Sequence, residues 1–158
     1  MSDDEFWMGE ALAQAARGAA EGEVPVGAVL VRAGLALARA YNSPIARNDP
    51  TAHAEILVLR AGGERIGNYR LQDCVLYVTL EPCAMCAAAL VHARVARLVF
   101  GAPDPRVGAA GSVFALTDEP RFNHRVPVTG GVRAADCRAL LHDFFRVRRG
   151  AGSDRGLA

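Results

Sequence analysis

Two short segments carry residue types that together can do metal chemistry, His53-Ala54-Glu55 and Pro82-Cys83-Ala84-Met85-Cys86. A catalytic zinc takes three protein ligands, from imidazole nitrogen and thiolate sulfur among others, and keeps a fourth position for water. His53, Cys83 and Cys86 supply those three. C-x-x-C spacing at a helix start lets both sulfurs face one point, and the positive helix end together with the metal favours thiolate over thiol. Glu55 stands two residues beyond the histidine, within reach of the water but not in a coordination position, which makes it the proton shuttle. Such an arrangement suits hydrolytic removal of an amine from an aromatic ring. Water attacks the ring carbon, and Glu55 protonates first the adjacent ring nitrogen and then the departing ammonia.

Two other uses of the same residues compete with this one. A structural zinc site wants a fourth protein ligand, and the remaining cysteines are poorly placed for it: Cys74 opens a strand at the end away from Cys83, and Cys137 lies in the closing helix without ligand spacing. Both read as small buried hydrophobes. A redox C-x-x-C would leave the His-x-Glu element unexplained. Two disulfides are the remaining use of four cysteines, but the chain shows no secretory signal and is long enough to hold itself together by burial.

Bringing the two halves together needs a framework of alternating helices and strands. Residues 4–17 carry Phe6, Trp7, Leu12 and several alanines at helical spacing, with Ser2 or Asp3 as cap, and predict an opening helix reaching about Glu21. Residues 28–31 and 35–40 flank Ala33-Gly34 and predict a β-hairpin. Residues 41–50 are loop chemistry, and a helix follows from Thr51 to Gly62-Gly63. Residues 74–80 form a strand, 84–92 a helix with Cys86 in its first turn, 97–101 a strand, 102–112 a Gly/Pro-rich loop, 126–129 a last short strand and 134–149 the closing helix. The order implies a three-layer α-β-α architecture of the α/β class. Its five-stranded mixed sheet is central, helices cover both faces, and the third and fourth strands, joined by a helix, lie parallel. Residues 1–149 are expected to form a single domain and 150–158 a flexible tail.

The chain has 158 residues, 51% apolar and 22% charged, which fits one domain with its own core. It holds no run near the roughly 20 apolar residues of a membrane span and opens acidic, so a soluble, cytoplasmic protein is expected. A net charge of +1 argues at face value against nucleic acid. The average conceals a division: residues 1–120 hold ten Arg against fourteen acids, net −4, and 121–158 hold eight Arg against three, net +5. Arg146, Arg148 and Arg149 cluster beside Phe144 and Phe145. Aromatic rings that stack on unpaired bases and guanidinium groups that hold phosphates suit a loop of single-stranded RNA, so Arg149 and one of Phe144 or Phe145 are expected to contact it. A solvated helix end with cations at its carboxyl dipole accounts for the same residues.

The pattern H-x-E…P-C-x-x-C is the signature of the zinc nucleobase deaminases. Beyond it, the stretches Glu23-Val24-Pro25-Val26-Gly27-Ala28-Val29, Asn42-Ser43-Pro44, Asp49-Pro50-Thr51-Ala52-His53-Ala54-Glu55, Leu76-Tyr77-Val78-Thr79-Leu80-Glu81-Pro82-Cys83-Ala84-Met85-Cys86, Phe100-Gly101-Ala102, Gly108-Ala109-Ala110-Gly111-Ser112 and Asn123-His124-Arg125 resemble the bacterial tRNA-specific adenosine deaminase family. The resemblance runs from about Phe6 to Arg149. It implies a cytidine-deaminase-like fold, a homodimer with one zinc per subunit, and conversion of adenosine to inosine at the wobble position of a tRNA anticodon loop. His53, Cys83 and Cys86 match the zinc ligands and Glu55 the proton shuttle. Asn42 matches the residue that hydrogen-bonds the flipped base, Pro44, Asp104 and Asn123 match positions lining the nucleotide channel, and Ala54 is placed with these substrate-binding residues. Pro105, which stiffens the loop after Asp104, and the acidic Thr117-Asp118-Glu119 depart from the expected pattern and bear on loop contacts. No membrane and no DNA partner is expected. Two alternatives stay open at this point, a deaminase of free bases or nucleosides and a zinc-stabilised RNA-binding module without catalysis. The helix around 87–91 is apolar enough to serve a dimer interface.

Overall fold

The computed structural model describes residues 1–154, with side chains to residue 150. Helix α1 (Asp3–Ala20) starts where Ser2 Oγ accepts the Glu5 N–H at 3.1 Å, with Asp3, Asp4 and Glu5 in its first turn facing the positive end of the helix dipole. Strands β1 (Gly27–Arg32) and β2 (Leu35–Tyr41) form the expected hairpin. Ala33 and Gly34 both take positive φ, 51° and 74°, as a two-residue turn between twisted strands requires. There follow α2 (Pro44–Arg47), α3 (Ala54–Ile66), β3 (Cys74–Leu80), α4 (Ala84–Ala93), β4 (Arg97–Ala102), a 3₁₀ turn at Leu116–Asp118, β5 (Val128–Thr129) and α5 (Ala134–Asp154).

The sheet order is β2-β1-β3-β4-β5, antiparallel on the β1 side and parallel from β3 to β5. Alternate residues of each strand feed two cores. On one face Leu30, Leu76, Val78 and Leu98 pack with Ala54 and Val58 of α3 and Leu90 and Val91 of α4. On the other Val29, Val31, Tyr77 and Val99 pack with Met8 and Ala11 of α1 and Cys137 of α5. Each large aliphatic side chain so buried contributes roughly 1.5–3 kcal/mol. The result is the three-layer α-β-α arrangement with a five-stranded mixed sheet that the element order implied. Cys74 and Cys137 are both buried in these cores.

Several boundaries differ from the sequence expectation. Residues 44–47 form a helical turn within the segment expected to be loop, with Pro44 in its first turn. Helix α3 begins at Ala54 and not at Thr51, because the Thr51 N–H and hydroxyl both donate to Asp49 Oδ1, at 2.8 and 2.7 Å, in a local turn. It also continues through Gly62-Gly63 to Ile66. Gly62 is a packing residue, since a Cβ there would overlap the Leu30 side chain. Val126 is left out of the last strand because its N–H donates to the Thr117 carbonyl at 2.9 Å. Finally α5 runs to Asp154, with Gly150 in helical backbone instead of the left-handed conformation that ends helices. Residues 155–158 of the expected tail lie outside the described residues.

Candidate active site

Strand β3 delivers the chain at Leu80 to Glu81-Pro82, and Cys83 becomes the N-cap of α4. His53 is likewise the N-cap of α3. The two helix starts converge, so that His53 Nδ1 lies 3.4 Å from Cys86 Sγ and 3.6 Å from Cys83 Sγ, and the three ligand atoms all fall within 4.8 Å of one another. A tetrahedral zinc with N at about 2.05 Å and S at about 2.3 Å requires N···S edges of about 3.6 Å. The donor set and its spacing therefore fit such an ion.

The electrostatics of the cluster point the same way. Hydrogen bonding from Cys86, aided by His53, overcomes burial and pulls the Cys83 thiol down to about 4. Donation to Cys83 and burial push the Cys86 thiol up, and the hydrogen bond to Cys83 raises His53. Cys83 and Cys86 as thiolates and His53 as neutral imidazole would hold a dication. Glu55, in the first turn of α3 and only 4% exposed, is pushed by burial up to about 7, where a carboxyl group both accepts and returns protons near neutrality.

The rim is built by loops. Asn42 donates its backbone N–H to the Val26 carbonyl at 3.0 Å, and its Oδ1 accepts the Ala54 N–H at 2.8 Å. Ala54 is fully buried with its N–H thus engaged. Ser43 N–H donates to the Ala52 carbonyl at 2.9 Å, and Pro44 follows, half-buried. Asp104, also half-buried, accepts the Arg106 N–H at 3.0 Å. Asn42, Ala54 and Glu55 are thereby brought to the cluster. Asn123 is exposed and lines a separate cavity of about 310 Å³ with Tyr69, His92, Arg94 and Phe122. On α5, Phe144 and Phe145 meet edge to face at 5.4 Å and the Arg148 guanidinium lies 5.0 Å over the Phe144 ring; Arg149 is exposed.

Two buried carboxylates escaped the sequence reasoning. Glu23, 1% exposed, accepts the N–H groups of Ile45 and Ala46 at 3.2 and 2.9 Å and so holds α2 in place. Glu81, 2% exposed, accepts from Asp104, Ala110 and Ser112. Burial alone would raise the Glu81 carboxyl, but the donors around it hold it below the usual carboxylate range. The available signal was an acid set next to a proline or one residue from it, at the edge of an apolar strand.

Residues 1–102 match the family model for the cytidine and deoxycytidylate deaminase zinc-binding region. The chain is 51% identical over 147 residues to a tRNA-specific adenosine deaminase of Haemophilus influenzae, an alignment covering 92% of this chain and 85% of that protein. A solved structure from studies of A-to-I editing by tRNA:A34 deaminases superposes with a TM-score of 0.84 at 43% identity, covering 86% of this chain and 99% of the other. A guanine deaminase from Nitrosomonas europaea is more distant, with a TM-score of 0.76 at 26% identity over 91% of this chain and 85% of that one. Fold, cluster and likeness agree that the chain belongs to the cytidine and deoxycytidylate deaminase family, among its tRNA-specific adenosine deaminases.

Proposed function

We propose that the protein hydrolyses the C6 amino group of adenosine at the wobble position of a tRNA anticodon loop, giving inosine and ammonia. The convergence of His53 Nδ1 on Cys86 and Cys83 Sγ at 3.4 and 3.6 Å, beside a buried Glu55, carries the reading. His53, Cys83 and Cys86 would hold one zinc per subunit, which supplies Lewis-acid activation of water at neutral pH.

The chain's own residues do the rest. Glu55 takes a proton from the attacking water and delivers it to N1 of the purine, then passes the second to the amine at C6, which leaves as ammonia while the C6 carbonyl forms. With its Oδ1 committed to Ala54 N–H, Asn42 has its Nδ2 hydrogens to offer to the base. Ala54 acts by fixing that amide. An anticodon loop is a suitable substrate because its unpaired bases cost less to extrude than paired ones. Pro44, Asp104 and Asn123 line the path of the loop nucleotides, and Phe144, Phe145 and Arg149 hold the loop by stacking and phosphate contact.

The deaminase domain spans residues 1–149 and works as a homodimer in the cytoplasm, with no DNA or membrane partner. Among the described residues no helix is long and apolar enough to cross a membrane. An apolar groove of about 710 Å³ between α3 and α4, lined by Ile56, Leu59, Ala89 and Ala93, supports the second subunit. Incubating the protein with an anticodon stem-loop, and separately with free adenosine, cytidine and guanine, tests the substrate class. Inosine and ammonia from the stem-loop alone are expected; preferential ammonia release from a free base would replace this reading with a small-molecule deaminase.

A further inference from the structure

We infer that Glu81 is a positioning residue that locks the 104–112 loop onto the segment carrying Cys83, so that substrate-side loop and metal centre form one rigid unit. The inference rests on the deaminase reading above and deepens it by naming a residue that acts on substrate binding through others.

Residues 103–115 connect β4 to the 3₁₀ turn with almost no regular structure, and Pro105, Arg106 and Val107 are exposed. The segment closes on itself through the Val113 and Phe114 N–H groups, which donate to the Gly108 carbonyl at 2.9 and 3.0 Å, and through Gly111 N–H to the Phe114 carbonyl at 2.8 Å. The Glu81 carboxylate fastens that folded loop to the strand end that leads into Cys83. Oε1 accepts the Asp104 N–H at 3.0 Å, Oε2 accepts the Ala110 and Ser112 N–H groups at 3.0 Å each, and the Ser112 hydroxyl donates to Oε1. Four donors spread over nine residues thus converge on one buried acid. The loop closes on it so tightly that a Cβ at Gly108 would overlap the Glu81 carboxyl carbon and the Asp104 carbonyl oxygen. A second tie runs beside it, Ala109 N–H to the Pro82 carbonyl at 2.8 Å. Pro82 is followed at once by Cys83, the N-cap of α4. Displacing the loop therefore changes the rim beside the metal ligands, while the ligands themselves stay fixed by α3 and α4.

Only a carboxylate satisfies this arrangement. A glutamine of the same shape has one acceptor oxygen: with that oxygen on the Ala110 and Ser112 N–H groups, its NH2 can donate to the Ser112 hydroxyl but faces the Asp104 N–H, which is orphaned. Replacement of the acid by its amide should then loosen the loop and leave the metal centre standing.

The experiment compares wild type, Glu81→Gln and Ser112→Ala for zinc content, thermal stability, amide exchange at 104–112, and KM and kcat on an anticodon stem-loop. Glu81→Gln is expected to bind zinc stoichiometrically, to exchange the Asp104 amide faster, and to raise KM at least tenfold with kcat within threefold. Ser112→Ala, which removes one donor and leaves the carboxylate, should raise KM about two- to fivefold with zinc retained, and it decides the matter if Glu81→Gln does not fold. An unchanged KM in the folded variant, a KM rise that tracks zinc loss, or a fall in kcat alone overturns the inference. A wild type inactive on the stem-loop overturns the deaminase reading first and this inference with it; an active wild type with an unaltered variant overturns only the inference.

Discussion

Asn42 Oδ1 accepts the Ala54 N–H at 2.8 Å, so the side chain proposed to meet the base also caps the helix that starts at His53, the proposed metal ligand. His53 makes no side-chain cap of its own, its ring being turned to the cysteines. The two roles of Asn42 are separable. Asn42→Asp keeps an oxygen for the Ala54 N–H and loses the amide donors; Asn42→Ala loses both. Asn42→Asp should retain thermal stability and zinc while its stem-loop kcat/KM falls at least tenfold. Asn42→Ala should lose about 1 kcal/mol of stability in addition. Equal melting temperatures for the two variants would remove the capping role.

Glu55 is expected to be dispensable for folding and indispensable for chemistry. Glu55→Gln preserves size and burial and ends proton transfer, so the variant should be folded, zinc-loaded and slower by about 10²–10⁴-fold. Turnover of the stem-loop by Glu55→Gln at a rate near that of wild type would contradict the assignment.

Away from the site, Asp4 ties α1 to the sheet by accepting from Arg97 at 2.9 and 2.7 Å and from the Tyr77 hydroxyl at 2.9 Å. The Arg97 hydrogen bonds, with help from Tyr77, outweigh burial and hold the Asp4 carboxyl below its ordinary value of 3.8. A depressed folded-state value means that the stabilisation is complete above that ordinary value and is lost as pH falls through the folded one. The pair is partly solvated, so its worth is about 1 kcal/mol, or roughly 2–4 °C in melting temperature. Asp4→Asn should therefore melt below wild type at pH 7, with the gap narrowing below pH 3.8. A gap independent of pH would show that packing, not charge, carries the contact.

The basic end of α5 makes a prediction about salt. Arg148→Ala with Arg149→Ala removes two cations and the Arg148 contact over Phe144. Stem-loop affinity should drop and the slope of log K against log salt should flatten by about 1.4, at roughly 0.7 per phosphate contact on a single strand. Unchanged affinity at both low and moderate salt would place the anticodon loop elsewhere.

What the sequence made legible was local or carried by motif. Residue type and spacing pointed to His53, Cys83 and Cys86, and alternation with short connections pointed to the five strands and the parallel β3–β4 pair. What escaped was held by distant partners. The helical turn at 44–47 donates to the Glu23 carboxylate 22 and 23 positions away, and the 104–112 loop is fastened to Glu81, 23 to 31 positions away. Propensity sees turn residues in both segments and nothing of the buried acid. The start of α3 has both a local and a distant cause: the Asp49 turn withdraws Thr51, and the acceptor that caps the helix lies 12 positions upstream at Asn42.

The most direct test of the account measures zinc content and inosine formation in an anticodon stem-loop on one preparation, as purified, after chelation, and after zinc is restored. One zinc per subunit is expected, with inosine formation lost with the metal and restored when zinc is added back. Inosine formed at an undiminished rate by metal-free protein, or none formed by fully zinc-loaded protein, would contradict it.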